Sequence, residues 1–78
     1  MSRPISEIAK EIELKWKNVN YTARPYLDAM KSLNSINDKY YEDDGRSVVL
    51  YFLSNALTFR GDDARRLKRE LQTILKGK

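Results

Sequence analysis

Apolar positions in this chain fall into three helical stripes and one run that is apolar on nearly every side. Ile5, Ile8, Ala9, Ile12, Trp16 and Val19 recur at spacings of three and four. On a helical repeat they form one face, which predicts a first helix from about Pro4 to Asn18. Pro4 suits its first turn and Ser2 its cap. Glu7–Lys10, Glu11–Lys15 and Glu13–Lys17 stand at pairing distance on the wet side. Leu14 points the opposite way from the stripe. A second helix follows Thr22 as cap, with Pro25 in its first turn, where proline is tolerated. Ala23, Tyr26, Leu27, Met30 and Leu33 line its inner side.

The central run is Val48 to Phe59, in which nine of twelve residues are apolar. Val48, Phe52 and Phe59 share one helical face, and Leu50, Leu53 and Leu57 lie across from it. A helix apolar all round is a buried helix, and this one is shorter than the ~20 residues needed to span a bilayer. Ser54, Asn55 and Thr58 also break the run. Val-Val-Leu-Tyr-Phe-Leu would suit a strand as well, but no second strand candidate exists to pair with it. Asp43 and Asp44 ahead of it can cap its start. Asn55 is expected inside it, where an unmet amide would cost about 1–3 kcal/mol. A hydrogen bond to loop backbone is the simple use of that amide, and a partner contact the sharper one.

The last helix follows Gly61 as a stop and Asp62 as a cap. It buries Ala64, Leu67, Leu71, Ile74 and Leu75, with Arg65, Arg66, Arg69 and Lys76 opposite and Lys68 at the margin. Between Leu33 and Gly45, Asn34-Ser35 and Asn37-Asp38 are turn-like. Ile36 and Tyr40 are expected to anchor that segment. Adjacent Tyr40 and Tyr41 cannot both point inward. The fold class is therefore all-α: one domain over residues 1–78, a compact small bundle of about four helices around a central buried helix.

Composition narrows the chemistry. The chain has no Cys and no His, which removes disulfides, thiolate metal sites and the commonest general base. Only three glycines are present, and none forms a phosphate-cradling loop. Asp38, Glu42, Asp43 and Asp44 do not have the spacing of a calcium loop. No enzyme, metal or cofactor is expected. Arg60-Gly61-Asp62 is a three-residue match of no weight. Cysteine absence and the lack of any leader or membrane run fit a cytoplasmic protein. A domain this short has a thin core and often leans on a partner or a second copy.

The formal net charge of +4 is unevenly placed: residues 1–59 balance eight Lys/Arg against eight acids, and residues 60–78 carry seven against three. Two binding readings follow. Leu14, Tyr40 and Tyr41 are the candidate contacts for a protein partner, since exposed tyrosine favours interfaces. Arg65, Arg66, Lys68 and Arg69 are the candidates for nucleic acid, with the last two helices read as a helix-turn-helix. Asp62 and Asp63 at the reading helix's start oppose base recognition there, leaving backbone contact along its side.

Trp16, the runs Pro25-Tyr26-Leu27-Asp28-Ala29-Met30 and Tyr51-Phe52-Leu53-Ser54-Asn55-Ala56, then Arg60-Gly61 and Ala64-Arg65, resemble a family of small uncharacterised bacteriophage proteins. The resemblance runs from Pro4-Ile5-Ser6-Glu7-Ile8 to Glu70-Leu71, with Phe59 where the family has tryptophan. It implies a phage or prophage origin and action in the bacterial cytoplasm, and it supplies no catalytic residue. Small phage accessory proteins often bind and block a host or defence protein, an analogy that favours the protein-binding reading. A basic chain is a poor mimic of DNA.

Overall fold

A computed structural model describes residues 3–41 and 43–76, with the side chain of Tyr40 also left aside. The Ser2 cap, Glu42 and the anchoring role given to Tyr40 lie outside what it describes.

Helix α1 spans Ile5–Lys15 and buries Ile5, Ile8, Ala9 and Ile12. Among the described residues no side chain caps it. Its first amides instead donate to the carbonyls of Asn34 (from Ile5, 3.2 Å) and Leu33 (from Ser6, 2.7 Å). A loop distant in sequence thus supplies acceptors for groups that every helix start leaves orphaned. The helix stops at Lys15, and Trp16 turns extended, which carries its indole into the core. Helix α2, Arg24–Met30, has Pro25 in its first turn and Ala23 at the cap position. Thr22 does not cap it; its hydroxyl accepts from the Asn20 amide. Ala23, Leu27, Met30 and Leu33 are buried and Tyr26 is half-buried.

A short antiparallel hairpin, β1 (Lys39–Tyr40) against β2 (Asp43–Asp44), turns at Tyr41 with φ +57°. It leads directly into α3, Gly45–Ser54, where the Asp44 carboxylate accepts from the Ser47 amide at 2.8 Å. Asp38 uses its own carboxylate to accept from the amides of Asn34 (2.8 Å) and Ser35 (3.3 Å). Gly45 sits hard against this loop. Its amide donates to the Asp38 carbonyl at 2.6 Å. A Cβ there would lie 2.6 Å from the Ser35 oxygen and 2.9 Å from the Ile36 Cα.

Helix α3 corrects two expectations. It ends at Ser54 and not at Phe59, because Asn55 takes the C-cap and donates its side-chain amide to the Tyr51 carbonyl at 2.8 Å. That bond is the structural use of Asn55. Nor is α3 buried all round: Val48, Val49 and Phe52 face inward, while Leu50 and Tyr51 are about half exposed. The molecule measures 28 × 26 × 18 Å. A thickness of 18 Å leaves room for about two helix diameters, so every helix keeps one side in water. Residues 55–61 then double back to bury Ala56 and Phe59.

Helix α4, Asp62–Lys76, buries Ala64, Leu67 and Leu71, with Ile74 and Leu75 partly covered. Gly61 has φ +109°, and its carbonyl accepts from the Arg65 amide at 2.9 Å. Gly61 therefore occupies the cap position, and Asp62 and Asp63 form the first turn, where acid suits the helix dipole. Arg46 donates to the Leu75 carbonyl at the other end, 3.1 Å away. The result is an all-α bundle of four helices around one cluster of buried side chains. Trp16 stacks on Phe59 (centroids 4.9 Å) and meets Phe52 edge-on (6.1 Å).

Candidate functional site

Ion pairs between helices decide which charges remain available. Only Glu7–Lys10, at 3.9 Å, forms among the pairs expected along α1. Glu11 instead joins Arg66 of α4 (2.5 Å) and Arg3 (2.9 Å). Arg3 reaches Glu70 at 2.7 Å, and Asp63 links Arg66 (3.4 Å) to Lys15 (3.7 Å). One chain of alternating charge, Glu70–Arg3–Glu11–Arg66–Asp63–Lys15, thus runs along the antiparallel α1–α4 seam. On the opposite flank of α1, Glu13 holds Lys31 and Arg24 of the α2 region, each at 2.9 Å.

The titration of these groups follows. Arg66, then Arg3, holds the Glu11 carboxyl below its usual range. Lys31, with help from Arg24, does the same for Glu13, and Arg3 for Glu70. The guanidinium of Arg66 is held more firmly protonated by Glu11 and Asp63.

Arg66 thereby leaves the nucleic-acid set proposed from sequence. Among the described residues Arg65 pairs only with the fully exposed Asp62, at 3.6 Å. Lys68 and Arg69 form no ion pair among the described residues, and neither does Arg60, which the sequence reading had not grouped with them. Lys68 is partly covered and lies 5.8 Å from the centre of the Phe59 ring. Burial, together with the nearby charge of Arg60, pushes its ammonium pKa down. Two shallow depressions meet at Arg65: one lined by Phe59, Arg60, Ala64 and Lys68, the other by Asp62, Arg66 and Arg69. Seven residues, 55–61, connect α3 to α4, which is longer than the three or four of a helix-turn-helix.

The candidate protein contacts do not converge. Leu14 is 78% exposed near the C-terminal end of α1, and Tyr41 is 86% exposed at the hairpin turn. The hairpin adjoins the loop that caps the other end of α1, about nine residues or 14 Å along that helix from Leu14. A third apolar surface was hidden by the assumption that α3 is buried. Leu50 (48% exposed) and Tyr51 (50%) are neighbours on its outer side, and Leu57 (73%) follows in the connection. The Tyr51 ring lies 5.5 Å from that of Tyr26 on α2. The signal available beforehand was position: on a helical repeat neither Leu50 nor Tyr51 falls on the Val48–Phe52 face.

Among the described residues no cluster of acids could hold a metal ion, and no helix is long and apolar enough to cross a membrane. These features define a small helical bundle with exposed apolar and basic surfaces and shallow depressions. No family model, curated protein or solved structure matches the chain.

Proposed function

We propose that this chain is a small phage-type accessory protein that binds a host or defence protein stoichiometrically in the bacterial cytoplasm, as a non-catalytic inhibitor or modulator. The supporting observation is the outer side of α3, where Leu50 and Tyr51 stand half exposed and the Tyr51 ring lies beside that of Tyr26. Large apolar side chains grouped at a surface favour protein contact, and tyrosine is enriched at binding hot spots. Leu14 and Tyr41 serve as outlying contacts that bear on specificity. The phage-family resemblance supports the host setting.

The test compares wild type with a Leu50→Ser/Tyr51→Ser variant as bait in bacterial lysate, with complexes weighed by light scattering. One protein retained at a 1:1 ratio by wild type and lost by a normally folded variant supports the reading. Equal retention by both, or none by either, overturns it. Separate Leu14→Ser and Tyr41→Ser variants report whether those residues belong to the same surface.

A further inference from the structure

We infer that the outer flank of α4, together with Arg60, is a contact surface for the phosphate backbone of nucleic acid, indifferent to base sequence. It does not depend on the protein-binding reading.

Sorting of the cations carries the argument. The flank of α4 that faces α1 presents Asp63, Arg66 and Glu70, and all three are consumed in the seam. At 100° per residue, Arg65, Lys68, Arg69 and Lys76 fall together on the other flank, with the exposed Asp62, 3.6 Å from Arg65, the one acid of α4 at its edge. Arg65 to Lys76 spans about 16 Å along the axis at 1.5 Å per residue. Arg60 joins this line from the connection, lining the same depression as Arg65 and Lys68. Lys68 lies against Phe59, partly desolvated and without a counter-charge among the described residues. An anion seated between Lys68 and Arg60 would supply the counter-charge that the partly desolvated ammonium lacks and offset its repulsion from Arg60.

A line of cations along one helix fits a polymer whose charge recurs about every 1.7 Å of duplex axis. Base readout has no equipment here. Asp62 and Asp63 guard the start of α4. The nearest aromatic ring, Phe59, is buried against Trp16 and cannot stack on a base. Contact is therefore with phosphate, and Arg contributes a planar fork suited to it.

The test is anisotropy of a dye-labelled 20-base-pair duplex in two unrelated sequences, titrated from 50 to 200 mM salt. Four phosphate contacts, from Arg60, Arg65, Lys68 and Arg69, give a log–log salt slope of about −3.6, or ~150-fold weaker binding across that range. An Arg65→Gln/Lys68→Gln/Arg69→Gln variant should lose about 2.7 of that slope. A Lys10→Gln/Lys17→Gln/Lys39→Gln variant removes the same charge elsewhere and should keep most of it. Circular dichroism melts confirm that both variants fold. Absence of binding at 50 mM, or equal losses in the two variants, overturns the proposal. So does a tenfold preference between the two sequences, which would mean base reading. Polyglutamate competing as well as DNA at equal charge would reassign the flank to acidic protein.

Discussion

Arg66 on α4 donates to Glu11 on α1 at 2.5 Å, although Lys15 stands one turn from Glu11 on the same helix. A guanidinium reaching across a seam, with Arg3 on the same carboxylate, offers more bonds than one lysine along a wet face. Glu11 has its folded pKa depressed. Its contribution to stability is therefore complete above the unfolded value of about 4.3 and is lost as pH falls through the lower folded value. Glu11→Gln should cost about 1 kcal/mol at pH 7 and less at pH 3, which lies below the unfolded value, where that contribution is already being lost. Urea melts at the two pH values check this. An equal cost at both would mean that packing, not charge, holds the side chain.

What could be read beforehand followed the helical period. The buried centres of the α1 and α4 stripes emerged, because Ile5, Ile8, Ala9 and Ile12, like Ala64, Leu67 and Leu71, obey a spacing that needs no partner to interpret; Trp16 and Val19 fall beyond the end of α1, and Ile74 and Leu75 are only partly covered. Contacts between distant segments did not emerge. Glu11 has a lysine four residues on in the sequence, and nothing local says that Arg3 and Arg66 displace it. The loss of Arg66 from the basic set, and the addition of Arg60, come from the same cause. Val48–Phe59 misled because hydrophobicity was taken to mean burial, whereas a bundle two helices thick cannot enclose any helix completely. The hairpin at 39–44 was invisible, being too short to leave a period.

Phe52 is fully buried and meets Trp16 edge-on. Phe52→Ala should cost about 3–5 kcal/mol, comparable to the whole stability of so small a domain. Phe52→Asp should abolish cooperative melting by circular dichroism. A variant that melts like wild type would contradict the arrangement of α3 described above.

Two glycines should fail for different reasons. Gly45→Ala places a methyl against rigid backbone of residues 35 and 36, an overpacking expected to cost about 1–3 kcal/mol. Gly61→Ala meets open space but an unfavourable φ of +109°, at about 1–3 kcal/mol. Chemical synthesis with D-alanine separates them: at position 61 it should restore or raise stability, because a positive φ is ordinary for that hand. No rescue there would show that the turn itself relaxes.

Capping residues should also rank differently from their order of appearance. Asp44 accepts from the Ser47 amide, and Asp44→Ala should lose about 1 kcal/mol. Asp62 lies one position inside α4, so Asp62→Ala should lose only about 0.3–1 kcal/mol of dipole interaction, and less in high salt. Thermal melts in 0.1 and 1 M salt distinguish the two; a larger loss at Asp62 than at Asp44 would return the cap of α4 to Asp62.

The chain has a single tryptophan, and it stands where three segments meet. Trp16 ends α1, stacks on Phe59 from the α3–α4 connection, and abuts Phe52 on α3. The protein consequently carries its own optical gauge. Indole emission reports whether these pieces are docked together, and a shift to the red means that at least one has parted. Because Lys68 rests on the same Phe59 ring, a load placed on the basic flank can reach the indole through one intervening side chain. Unlabelled protein is thus equipped to signal its unfolding, and the occupancy proposed for the basic flank would be read at the same indole.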